Sequence, residues 1–216
     1  MKSTILSILC LLVSMTAFSQ KKVLDHPDFE IWNTIEGQRI SRNGQLIIYS
    51  LEKGEADNHL KIKDGQGILV FEHERSQGGQ FTYGSNYALF TIKPWQSAVR
   101  EMKREKVKSE DMPNDTLAIF NVNNNQLLKI PNVRNYKMPA KWGGYVAYQL
   151  EPMENGDDKK NSGKNGYHVV LRNLSTGSQD TIKYVTNYNF AEEGETLAFI
   201  TTGSDVHTPG VYIHEL

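Results

Sequence analysis

An all-β fold of stacked four-stranded blades, the repeat unit of a β-propeller, is predicted by three observations. A turn leading straight into a short apolar strand occurs four times. Asn43-Gly44, Ser85-Asn86, Gly143-Gly144 and Glu193-Gly194 precede Leu46–Leu51, Tyr87–Ile92, Tyr145–Leu150 and Thr196–Thr201. The second turn residues are 42, 58 and 50 residues apart, near the roughly 40 to 50 residues of a four-stranded blade. Each turn and strand is then followed by another hairpin, so the repeating unit is larger than one strand pair.

Each element has a local reason. Asn-Gly and Gly-Gly tolerate the positive φ of a two-residue hairpin turn, which would set the register of the strand that follows. The second hairpins read HLKI, Asp64-Gly65, ILVF in the first unit. They read TLAIFNV, Asn123–Asn125, QLLKI in the second, and YHVVLRNL, Ser175–Gly177, DTIKYV in the third. In the fourth, VYIHEL begins a third strand and the sequence stops at Leu216. The expected blades are therefore about 30–75, 76–134 and 135–186, with an incomplete fourth at 187–216. Lys93–Asp115 and Glu151–Asn165 read as polar insertions. Propellers close with about 4–8 blades, so the chain is expected to be the front of a longer protein; the alternative is a small open β-sandwich ending at Leu216. Strands after the four turns should face neighbouring blades, with Ile47, Leu89, Ala147 and Ala198 buried.

Met1–Gln20 has the layout of a secretory signal peptide. Lys2 gives the positive start, Ile5–Val13 the apolar run, and Ala17-Phe18-Ser19 the small-residue cleavage site. The domain plan is thus a signal peptide at 1–19 and a partial propeller at 20–216, exported to the periplasm or the extracellular space. The apolar run is too short to span a bilayer of about 30 Å, so no membrane span is expected. Cys10 lies inside the run, after Leu9 rather than a small residue, and cleavage would leave a chain without cysteine, disulfide or thiolate metal site. Loss of Lys2 moves the formal net charge from −1 to −2, which gives no electrostatic footprint for nucleic acid.

Chemistry-bearing motifs are sparse. The sequence contains no G-x-S-x-G elbow, HExxH helix, P-loop or dinucleotide fingerprint. No catalytic, cofactor-binding or metal-ligating residue is therefore assigned, and no cofactor is expected. Of six histidines (His26, His59, His73, His168, His207 and His214), His73 in EHER could pair with Glu72 or Glu74 beside a cation, or simply end a solvated strand. Asn155, Asp157 and Asp158 offer oxygen ligands without the alternation a calcium loop needs. Asn114-Asp115-Thr116 and Asn173-Leu174-Ser175 are N-x-S/T strings. Trp95–Glu110 places Trp95, Val99, Met102 and Lys106-Val107 at helical spacing among basic residues. It reads either as a basic arm projecting towards a partner or anionic surface, or as a solvated helical insertion anchored by Trp95.

The stretches RISRNGQLIIYSL, EDMPNDTLAIFNV and LLKIPNVRNYKMPAKWGGYVAYQLE resemble the N-terminal propeller of secreted bacterial serine peptidases of the prolyl oligopeptidase family, and the resemblance spans Val23–Leu216. It implies a propeller that caps a C-terminal α/β-hydrolase domain in cis, restricts substrates to peptides by size, and helps to bind them. The catalytic Ser, Asp and His of that family lie in the hydrolase domain, so none maps onto this chain. The alternative is an envelope propeller acting as a protein- or ligand-binding scaffold without an enzymatic partner domain.

Overall fold

The structure, a computed structural model, describes residues 25, 28, 32–54, 56–152 and 165–216. Residues 1–24, which carry the expected signal peptide, and 153–164, which carry Asn155, Asp157 and Asp158, lie outside it.

Strands β1 (Asn33–Ile40), β2 (Leu46–Lys53), β3 (His59–Asp64) and β4 (Leu69–Glu74) form one sheet in sequential order. A second sheet holds β5 (Ser76–Phe81), β6 (Tyr87–Ile92), β7 (Thr116–Asn121) and β8 (Gln126–Ile130). Both are antiparallel throughout, as predicted for blades. A third sheet contains β9 (Val133–Lys137), β10 (Tyr145–Leu150), β11 (Tyr167–Asn173), β12 (Gln179–Phe190), β13 (Thr196–Thr201) and β14 (Gly210–Glu215). Blades three and four are joined there by β12, which pairs with β11 through Gln179–Val185 and with β13 through Val185–Phe190. The expected boundary between 186 and 187 thus falls inside a strand. Tyr184, at φ +55°, and register shifts on both edges bend β12 where it changes partner.

The repeated turns are longer than expected. Ser41 N–H donates to Leu46 O at 2.8 Å and Gly44 N–H to Ser41 O at 2.8 Å, closing a four-residue loop. Thr82, Tyr87 and Ser85 repeat this pattern at 2.9 and 2.8 Å, and Ala191 N–H closes the fourth turn on Thr196 O. The left-handed residue of the second turn is therefore Ser85 (φ +60°), one position before Asn86 and equivalent to Gly44 (φ +71°). A side chain sets the loop length. The Ser41 hydroxyl accepts from Leu46 N–H at 2.9 Å and donates to Asn43 Oδ1 at 2.6 Å, a local bond that competes with a tighter turn.

The core lies between blades rather than within them. On β6, Ala88, Phe90 and Ile92 pack with Leu46, Ile48, Leu60 and Ile62 of blade one. Leu89, on the opposite face, packs with Val133, Val146 and Tyr148 of blade three. On β10, Ala147 faces the other way, towards Tyr188, Leu197 and Phe199. Middle strands are therefore apolar on both faces, and β6, β7 and β10 read as near-continuous buried runs. The end blades differ. Leu89 and Ala147 are fully buried as expected, whereas Ile47 is 37% exposed and Ala198 is exposed. Both lie on the face turned away from the neighbouring blade, where no described residue covers them. Ile200, Val211 and Ile213 share the open face of blade four with Ala198.

Polar groups also cross the junctions. Tyr188 O–H donates to Asn135 Oδ1 at 2.6 Å, Asn135 Nδ2 to Gln149 Oε1 at 2.8 Å, and Gln149 Nε2 to Val185 O at 2.9 Å. Burial pushes the Tyr188 phenol far above its ordinary pKa. At the first junction the half-buried His73 ring lies beside Phe71 and Phe90, with centroids at 6.4 and 5.9 Å. Of the two readings of His73, a pair with Glu72 or Glu74 or a solvated strand end, neither holds as stated: the ring is half-buried, its Nδ1 meets the Glu74 carbonyl at 2.7 Å, and Glu72 faces the other way, as successive residues of a strand do. Glu72 instead meets His59 at 3.1 Å and Lys61 at 3.2 Å.

Two predictions follow the packing directly. Leu89→Asp puts a carboxylate into a closed interblade face and should destabilise the fold by roughly 3 kcal/mol or more. Ile47→Asp, on the open face, should cost less than about 1 kcal/mol. Paired thermal melts measure both, and equal losses would contradict the assigned faces. For His73, burial lowers the imidazole pKa from 6.5; the charges of Lys129 and Arg75 add to this, while the Glu74 carbonyl and carboxylate oppose it. The fold therefore favours the neutral ring. Its contribution is present above pH 6.5 and is lost as pH falls through the lower folded-state value. Urea unfolding between about pH 7.5 and about pH 5 should show a fall in stability that His73→Gln reduces; an identical fall in both proteins would contradict this.

Candidate functional site

The first strands of the blades carry the polar surface. All eight residues of β1 are exposed, and β5 and β9 present Gln77, Gln80, Arg134, Asn135 and Tyr136. Each first strand also holds one extra residue against its neighbour. Register shifts fall between Glu36 and Arg39 on β1, between Gln77 and Gln80 on β5, opposite Gln149–Leu150 on β9, and between Val185 and Asn187 on β12. Such bulges increase local twist and re-aim side chains. Gly37 (φ +61°) and Gly78 (φ +68°) supply the left-handed backbone for the first two. Gly79 has a different task. A Cβ there would overlap the buried side chains of Ile48 and Leu60, so glycine lets β5 lie directly on blade one without displacing them.

Where the ends of β1, β5 and β9 converge, they enclose a concavity of about 660 Å³. Arg39, Arg42, Gln80, Tyr83 and Met138 are among the residues lining it. The Arg42 guanidinium lies 3.6 Å over the Tyr83 ring, an arrangement that holds the cation while leaving its edge donors for an acceptor. Tyr136 reaches across the blades, donating to Gly78 O at 3.4 Å. Burial raises its pKa, against smaller opposing effects of Gln80 and Arg39. This chemistry suits recognition. Two guanidinium groups can bind carboxylate or carbonyl oxygens, an amide can pair with a peptide backbone, and Tyr83 and Met138 offer apolar contact. None of these residues was singled out in the sequence. The usable signal was the pair of interruptions, Gly37 and Gly78-Gly79, in otherwise polar stretches.

The sequence-derived candidates occupy other places. His73 Nδ1 lies 2.9 Å from Ser76 Oγ, a contact that superficially resembles a base and its nucleophile. Ser76 is fully buried and its hydroxyl donates to Glu74 O at 3.0 Å, so the pair fastens the blade junction. His168 packs edge-on against Tyr184, and His214 lies on β14. The Asn173 side chain accepts from the Ser175 and Thr176 N–H groups at 2.9 and 3.0 Å, making it the staple of a turn. The basic insertion is helical over α1 (Gln96–Arg104) only; Lys106, at φ +58°, ends it before a 3₁₀ turn at Ser109–Asp111. It does not project as an arm. Gln96 N–H donates to Asp57 Oδ1 at 3.0 Å and its amide to Ala56 O at 3.0 Å, laying α1 against blade one. Among the described residues no group of three or more His, Cys, Asp or Glu is placed to hold a metal ion. No helix among them is long and apolar enough to cross a membrane.

No protein-family model and no curated protein sequence matches the chain. Solved structures do. The acylaminoacyl peptidase of Pyrococcus horikoshii aligns with a TM-score of 0.52 at 10% identity, over 87% of this chain and 32% of that one. The β-propeller domain of the trilobed protease from Pyrococcus furiosus aligns at 0.54 and 9% identity, over 87% of this chain and 56% of that one. A prolyl endopeptidase aligns at 0.53 and 12% identity, over 92% and 30%. The chain thus spans about a third of the length of the two whole peptidases. Its structural neighbours are the β-propeller domains of prolyl oligopeptidase-family peptidases, and it shares their fold.

Proposed function

We propose that this chain is the propeller portion of an exported serine peptidase of the prolyl oligopeptidase family. In this reading it admits peptides by size and helps to bind them for an α/β-hydrolase domain carried by the same polypeptide. The observation that carries the reading is the concavity at the convergence of three first strands, where Arg39, Arg42 and Gln80 stand beside the apolar Ile40, Phe81, Met138 and Pro139, in a fold shared with peptidase propellers. Arg39 and Arg42 are the proposed peptide-binding cations, and Tyr83 and Met138 the apolar contacts. Residues 1–19 are proposed as the export signal, cut near Ser19-Gln20.

Fluorophosphonate labelling of the native secreted protein, followed by peptide mapping, tests the division of labour. The label should fall on a serine outside residues 25–216 of the same polypeptide, and Arg42→Ala in that protein should raise KM for a peptide substrate several-fold with little change in kcat, as expected for lost ground-state binding. A purified Gln20–Leu216 polypeptide should neither label nor hydrolyse peptides. A labelled serine within this chain, or a native protein that never labels, would overturn the proposal.

A further inference from the structure

We infer that the fold of the Lys93–Asp115 insertion over the blade-one edge creates a second binding site, for a carboxylate on an apolar stem. This site is separate from the concavity between the first strands. A pocket of about 400 Å³ lies between α1 and the edge of the first two blades, within the volume range of small-ligand sites. Arg75, Lys93, Arg100 and Lys103 line it against the single carboxylate of Asp57, while Val99 and Met112 contribute apolar wall. Asp57 is already engaged, accepting from Gln96 N–H at 3.0 Å, and Lys93 is paired with Asp115 at 2.6 Å. With Lys93 balanced by Asp115, Arg75, Arg100 and Lys103 still outnumber the one carboxylate of Asp57, so the lining is cationic.

Arg75 is the residue best placed to hold the carboxylate. It connects β4 to β5 in a left-handed conformation, φ +57°, which a non-glycine residue adopts at some cost. Its carbonyl accepts from Lys93 N–H at 2.7 Å, and its guanidinium donates back to Lys93 O at 3.2 Å. The guanidinium carbon lies 4.3 Å over the Trp95 ring, which orients the fork beside the pocket. Arg75 Nε is buried without a hydrogen-bond partner among the described residues. A buried donor left unsatisfied calls for an acceptor, and a small adjustment of the fork towards a carboxylate would supply one in the bidentate geometry that arginine favours. The apolar wall explains why the anion should carry a hydrocarbon stem. A free short-chain acid and the carboxyl terminus of a peptide ending in an apolar residue both present this chemistry.

Tryptophan fluorescence of the full chain provides the test, because Trp95 lies under the responding guanidinium. Titration with 4-methylpentanoate should give a saturable change that Trp95→Phe abolishes, while 4-methylpentanamide and inorganic phosphate give none. Arg75→Lys, which keeps the charge and loses the fork, should weaken binding by roughly tenfold. Lys103→Ala, on the exposed helix, should weaken it by a smaller factor and serves if the Arg75 variant fails to fold. Tighter binding of Ala-Ala-Leu than of the free acid would support the site and assign it to peptide termini; the reverse order would support it for free acids. Equal binding of acid and amide, equal binding of phosphate, or full affinity in both variants would overturn the inference.

Discussion

Face-to-face burial of apolar sheet surfaces between successive blades is the constraint on which the rest of the structure depends. No blade here has a core of its own. Phe90 and Leu89 are adjacent on β6 and fully buried, one against blade one and the other against blade three. A sheet with two apolar faces is stabilised further by each face that a neighbour covers, which ties the order of the blades in space to their order in sequence. The same constraint explains the exposed Ile47, Ala198, Val211 and Ile213 at the two ends of the described array.

Close stacking at the first strands generates the candidate site. β5 can rest on blade one because Gly79 leaves room for Ile48 and Leu60. The bulges that recur on β1, β5, β9 and β12 turn these strands relative to their neighbours and bring Arg39, Arg42, Gln80 and Tyr83 to a common concavity. Stability and recognition are thus divided by position along the blade. The second and third strands supply most of the buried apolar faces; the first strands add Val133, Val185 and Tyr188 to the junctions and, with the loops beside them, carry the groups able to meet a ligand.

Much of this division was legible in the sequence, and the limits have physical reasons. The second strands were plain because a turn precedes each and burial on both faces makes them continuously apolar. The first strands were not, since β1 reads NTIEGQRI and β5 reads SQGGQF, without the alternation or apolar run that marks a strand. Turn length was misjudged because the hydroxyls of Ser41 and Thr82 close the loops through contacts that a dipeptide pattern does not encode. Burial of Leu89 and Ala147 followed from strand character alone, but that of Ile47 and Ala198 depended on which face has a neighbour. The insertion pocket was invisible for a similar reason. Arg75 and Lys103 are 28 positions apart, and only the seating of α1 on Asp57 and Ala56 brings them together.

Hydrogen exchange along the folded chain tests the interblade account most directly, because protection follows the local free energy of opening. The account predicts the slowest amides in β6, β7 and β10, whose blades are covered on both faces. It also predicts measurably faster exchange in β13 and β14 of this chain, whose blade has an apolar face that no described residue covers. Protection of β14 equal to that of β6, or fastest exchange in β6, would contradict it.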